Sequence, residues 1–245
     1  MASLAPSIVP KKEQMLHEVQ GHELITIFIG PKREKFSLHK DLLCAHSSYF
    51  AITLKIYTKN DLKKARINEL HMPDEDPIIF GFLNDYLYRS LLPTQSADYF
   101  PELYSMAERL CMEDLMNKTV DSLKNLLATG TAFYSSVAVK NVYAITDEGS
   151  KFRDLVMFTL AAVFNDNRNP PMEWWKAYQD VMEAVPRIAV DLFRVQLEYR
   201  ELLKRVDTVA DAIAKLPNGA FHVRNPQVGM RQSARCQLLN YGLLF

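Results

Sequence analysis

The residues best suited to chemistry are six histidines and three cysteines. His17-Glu18-Val19-Gln20-Gly21-His22 comes nearest to a metal-site motif. A zinc-binding pair on one helical face needs histidines four residues apart. Here the second histidine stands five residues on, and Gly21 holds the required position. The stretch reads instead as a polar lead-in to a strand. Phosphate-cradling patterns (GxGxxG, GxxxxGKS/T) and the GxSxG nucleophile turn are missing, and eight glycines leave little material for such loops. Cys44, Cys111 and Cys236 form no CxxC pair, and their odd number reads as reduced thiols in a cytoplasmic or nuclear protein. The expectation is a chain with no catalytic centre, no metal and no cofactor. An enzyme whose site assembles from distant positions is the alternative from a different class.

Charge and hydropathy narrow the partners. The 245 residues carry 29 Lys+Arg and 29 Asp+Glu, a formal charge of zero. Nucleic-acid affinity needs clustered cations that release counterions, so no nucleic-acid partner is expected for the body of the chain. An apolar content of 48% supports a real core. The longest apolar run, 155–164, is about half the ~20 residues a membrane helix needs, so no membrane partner is expected. The opening run is broken by Pro6 and Pro10, and its charges follow the apolar stretch, unlike a secretory signal. No small-molecule substrate is identified.

The elements that would position a surface come next. Residues 1–21 are polar and expected to be flexible. Leu24-Ile25-Thr26-Ile27-Phe28-Ile29 is β-rich and apolar on both faces, as a buried strand would be. Gly30-Pro31-Lys32-Arg33 is a turn, and Phe36 and Leu38 alternate with Lys35 and Ser37 in a second strand, giving a hairpin. A short helix over 41–45 follows, and Ser47 caps another that carries Tyr49, Phe50 and Leu54. A third short strand is expected around Ile67. Asp76 caps and Pro77 opens a helix bearing Ile79, Phe82, Leu83, Tyr86 and Leu87. Further helices carry Leu103, Met106, Ala107 and Leu110, then Met116, Val120, Leu123 and Leu127. Strands and helices without regular alternation point to an α+β fold.

These residues resemble a known family. The strand 24–29, then Phe36-Ser37-Leu38-His39-Lys40-Asp41-Leu42-Leu43, then Ser47-Ser48-Tyr49-Phe50, is similar to the opening of a BTB/POZ domain. Leu70, Asp74-Glu75-Asp76-Pro77, Phe80, Phe82-Leu83 and Tyr86-Leu87-Tyr88 match its next segment. Leu103-Tyr104-Ser105-Met106-Ala107-Glu108-Arg109-Leu110, with Met112 and Leu115, matches a later helix. The resemblance covers 22–128 and implies a helical cluster flanked by a small three-stranded sheet, followed by an all-α region. The stretch from Val142-Tyr143 to Arg153 looks like the region after this domain in many fungal proteins. The implied function is non-catalytic protein–protein interaction, with self-dimerisation as the usual mode. Presenting substrates to a cullin-RING ubiquitin ligase is the alternative.

The resemblance also nominates residues. Lys40 and an acid near the first strand, Glu23 here, would lie in a charged pocket on the dimer face. The competing reading has His39 capping a helix and Lys40 solvated. Tyr49 and Phe50 would anchor the first turn of their helix, and they join Tyr104 as candidate contacts. Cullin-binding members carry an apolar-x-Glu pattern after this helix. Leu54-Lys55-Ile56-Tyr57-Thr58-Lys59 has lysines and no glutamate. Lys55 and Lys59, in the basic stretch 55–66, are therefore candidates for choosing a partner by charge, and they rank the cullin reading second.

The C-terminal helical region is expected over 129–216. Ser150 caps a helix with Phe152, Leu155, Val156 and Leu160, and Pro170-Pro171 opens another with Trp174-Trp175 as core or contact residues. From Pro186, apolar residues Ile188, Leu192, Val195, Tyr199, Leu202, Val206, Val209, Ile213 and Leu216 step by 4 and 3. That predicts one long helix over 187–216, either a coiled coil between chains or a helix laid along its own domain. Residues 217–245 carry Arg224, Arg231 and Arg235 and no acid, and are expected to be a largely disordered basic and apolar tail.

Overall fold

A computed structural model describes residues 21–59, 69–92, 97–129, 134–165 and 172–223. Strands β1 (Leu24–Ile29) and β2 (Glu34–His39) form an antiparallel hairpin, and β3 (Glu69–Met72) pairs parallel with β1, giving the order β2-β1-β3. The hairpin turns where Gly30 takes φ 70°, and the pyrrolidine of Pro77 comes within 3.1 Å of where a Cβ on Gly30 would be. In register, Ile25 faces Leu38 and Ile27 faces Phe36. Ile25, Ile27 and Ile29 are buried.

The expectation of a strand buried on both faces fails for β1. Its other face carries Leu24, Thr26 and Phe28, with Leu24 50% exposed. Phe28 is half-buried and stacks on the exposed His71, and the Arg33 guanidinium lies over its ring. The third strand lies just beyond Ile67, which falls outside the described residues.

Helices α1 (Lys40–His46), α2 (Ser48–Lys59), α3 (Pro77–Arg89), α4 (Phe100–Arg109) and α5 (Glu113–Ala128) pack on the inner face of the sheet. Local caps set their starts. Ser47 Oγ accepts from Phe50 N and donates to the Leu110 carbonyl, tying α2 to the end of α4. Asp76 Oδ1 accepts from Ile78 N at 2.7 Å and Ile79 N at 3.2 Å, with Pro77 at the first helical position.

The C-terminal region adds α6 (Ser136–Ile145), α7 (Lys151–Phe164), α8 (Met172–Ala184), α9 (Arg187–Glu198), the single turn α10 (Arg200–Leu203) and α11 (Val209–Ala214). One continuous apolar core runs from Ile25 to Phe221. The fold is α+β, a three-stranded sheet and its helices followed by a helical region.

The long helix over 187–216 is corrected to three pieces. The chain leaves helical geometry at Tyr199 and is extended at Thr208, whose Oγ1 caps α11 by accepting from Asp211 N. Ile188, Leu192, Val195, Val206, Val209, Ile213 and Leu216 are buried in the chain's own core. The seam therefore closes inward and is not open to a second chain.

The tail is corrected over 217–223. Phe221 is buried against Phe158 and Tyr199, His222 Nε2 meets Asp121 at 2.8 Å, and Asn117 brackets Val223. Residues 224–245 lie outside the described residues, as do 1–20. The reading of three reduced thiols also fails, because Cys111 is disulfide-bonded while Cys44 remains a thiol.

Candidate interaction site

The polar residues singled out by sequence meet at the junction of β1, β2 and α1. Register sets Leu24 opposite His39 across the hairpin. Lys40 N donates to the Glu23 carbonyl at 2.8 Å, extending the ladder by one bond. Lys40 Nζ also reaches Glu23 Oε2 at 3.1 Å. The ammonium is half-buried and the carboxylate largely exposed, so the pair is a surface feature of modest stabilising value. The charged pair forms, against the reading of a merely solvated Lys40.

His39 does not cap α1 with its side chain, although it occupies the cap position. Instead the Tyr88 hydroxyl accepts from His39 N at 3.0 Å and lies 2.8 Å from His39 Nδ1. The one hydroxyl thus meets both the backbone and the ring of His39. Tyr88 was not singled out as a site residue. Its signal in the sequence was its place in the matched Tyr86-Leu87-Tyr88 segment, 49 positions from His39.

The other candidates separate by burial. Tyr49 is half-buried, edge-on to Phe50 at 5.3 Å. Phe50 and Tyr104 are fully buried, so both are core residues and the expectation of surface contacts is corrected for them. Lys55 and Lys59 lie on the last turns of α2, and their side chains fall outside the described residues.

Tyr104 has a different place. Its hydroxyl lies at the N-terminal end of α7, beside Ser150 Oγ and the N–H groups of Lys151 and Phe152. Neither hydroxyl makes a hydrogen bond of ordinary geometry, so Ser150 holds the cap position without capping. Burial first, and then the Glu108 carboxylate, push the phenol well up. Burial also pushes Glu108 up to about 7, helped by the charge of Asp147 and opposed by Arg153 and Arg109.

Two ion-pair networks escaped the sequence reading. Arg109 clasps Glu75 with Nε to Oε1 at 3.1 Å and Nη2 to Oε2 at 2.6 Å. Its Nη1 donates to Ser105 Oγ, which donates to the Ile145 carbonyl. This chain of bonds joins the turn before α3 to α4 and α6. Farther on, the buried Asp154 and Asp191 are held by Arg194 and Arg187 respectively, and Tyr143 donates to Asp191. Arg153 lies over the Tyr143 ring and donates to Thr146 and to the Tyr143 and Thr146 carbonyls. Isolated Arg and Asp residues in sequence give no sign of which partner each will find.

Trp174 and Trp175 close an aromatic cluster with Phe164 and Tyr178, and the Tyr178 hydroxyl donates to the Tyr134 carbonyl. Among the described residues, no three His, Cys, Asp or Glu side chains converge to hold a metal ion. No described helix is long and apolar enough to cross a membrane.

The small sheet has one face covered by helices, and its other face carries an apolar residue beside a charge pair. Residues 16–127 match the family model of the BTB/POZ domain, so this segment of the chain is a BTB/POZ domain. No curated protein matches the chain.

Proposed function

We propose that the chain is a non-catalytic interaction module that self-dimerises through the outward face of its sheet at Leu24, Glu23, Lys40 and His39. One observation carries the reading. Leu24 is an apolar residue half exposed beside a charge pair and an imidazole in contact with the Tyr88 hydroxyl. Interfaces pair such an apolar centre with a polar rim that sets register. Co-purification of two differently tagged full-length copies tests it. Capture of the second tag, lost in Leu24→Asp, is expected, and its absence in the parent chain contradicts the proposal.

Cullin binding ranks below this, because α2 ends in Lys55 and Lys59 with no glutamate between them. Recovery of a cullin with the parent chain would reverse the order.

A further inference from the structure

Helix α3 is buried along one face and bare along the other. Ile79, Phe80, Leu83 and Leu87 turn into the core. Ile78, Gly81, Phe82 and Asp85 share the opposite face by their helical spacing. Ile78 is 60% exposed and Phe82 is half-buried. The Phe82 ring lies 5.1 Å from that of Tyr99, which ends the turn Ala97–Tyr99 before α4 and is 40% exposed. Ile78, Phe82 and Tyr99 thus make an apolar strip at the surface.

Gly81 lies beside the strip. Glycine is the poorest helix former short of proline, and the fold gives no reason for it here. Its backbone is helical, and a Cβ placed on it would meet no described atom within 4 Å beyond its own stretch of helix. The missing side chain leaves a notch where an outside backbone can approach closely.

The surroundings are acidic. From Asp74 to Glu102 the sequence holds six acids and one cation, Arg89. Arg109 takes Glu75, and Arg89 lies 3.6 Å from Asp85. Asp76 binds the backbone of Ile78, and Asp98 adjoins Tyr99. Partial burial first, and the charges of Asp98 and Asp76 after it, push the Glu102 carboxyl above its ordinary value. These carboxylates repel one another, and a cation from outside would relieve them.

We propose that a basic amphipathic helix of a partner protein docks along α3. Its apolar anchors meet Ile78, Phe82 and Tyr99, its backbone approaches Gly81, and its cations face Asp76, Asp98 and Glu102. A helix suits the face, because α3 offers no strand edge to extend and presents its strip at helical spacing. A second copy fits poorly. A two-fold contact sets a patch against itself, and here that would set acids on acids. Three partly exposed side chains offer on the order of 250 Å², against about 800 Å² per partner in a stable interface. The surface is also separate from Leu24, since α3 packs on the inner face of the sheet and Leu24 lies on the outer one.

The test titrates the full chain into a fluorescein-labelled helical peptide of leucine and lysine and reads anisotropy. A peptide of leucine and glutamate in the same pattern is the comparison. Saturable binding of the basic helix alone is expected. Gly81→Leu fills the notch and is expected to weaken binding about tenfold. Glu102→Lys, at an exposed position, is expected to weaken it roughly threefold, and it keeps the test valid should Gly81→Leu fail to fold. Glu173→Lys reverses an exposed acid on α8 and is expected to leave binding unchanged. No binding of the basic helix, equal binding of both peptides, or unchanged binding in either α3-face variant overturns the proposal. An equal loss in Glu173→Lys overturns it as well, because net charge alone would then explain the binding. A lower particle mass in Gly81→Leu would give the face to a second copy instead.

Discussion

The hydroxyl of Tyr88 holds His39 by two groups at once, the backbone N–H at 3.0 Å and Nδ1 at 2.8 Å. The contact ties the last turn of α3 to the point where β2 becomes α1. Tyr88→Phe leaves a half-buried N–H and an imidazole without that partner, and is expected to cost about 1–3 kcal/mol. Urea unfolding measures this, and an unchanged midpoint would show that the contact carries no weight.

The fork of Arg109 on Glu75 links the turn before α3 to α4 by two charged hydrogen bonds. A bidentate pair with a mostly buried carboxylate is expected to lose about 1–3 kcal/mol on Arg109→Ala. Arg109→Lys should not restore it, because a point charge cannot reproduce two parallel bonds. Thermal melts of the two variants check the prediction, and full rescue by lysine would refute the fork as the cause.

Glu108 gives a pH dependence of known sign. Its carboxyl is pushed from the ordinary 4.5 up to about 7 in the folded chain. The folded state therefore binds this proton more tightly than the unfolded one. The contribution is fully present below 4.5 and is lost as pH rises through about 7. Glu108→Gln removes the ionised form. Its stability relative to the parent should be greater near pH 8 than near pH 5 by urea unfolding. An equal difference at both values would show that Glu108 does not titrate in this range.

Phe221 tests whether the start of the tail belongs to the core. It is buried against Phe158 and Tyr199, and Phe221→Ala is expected to cost roughly 3 kcal/mol through the cavity it leaves. A loss under ~0.5 kcal/mol in chemical denaturation would place Phe221 among ordinary surface positions.

What the sequence made legible was local. Asp76-Pro77 and Ser47 announce helix starts because a cap is decided within three or four residues, and Gly30 announces the hairpin for the same reason. The 4-and-3 spacing from Ile188 to Leu216 could not reveal its own breaks. Apolar residues keep that spacing whether the backbone continues as one helix or turns at Tyr199 and restarts at Thr208. Residue type did not place Phe50 and Tyr104, since an aromatic side chain serves core and contact surface equally well. Of the candidate site, the Lys40 and Glu23 pair could be read through the family resemblance. The Tyr88 contact lies 49 positions away and depends on how α3 crosses the sheet, which no local signal encodes.

Sedimentation velocity of the full chain, beside Leu24→Asp, tests the central claim most directly. The account predicts a parent species of twice 28.1 kDa and a variant at 28.1 kDa with unchanged secondary structure. A parent chain that stays at 28.1 kDa at every concentration, or a variant that keeps the doubled mass, would contradict it.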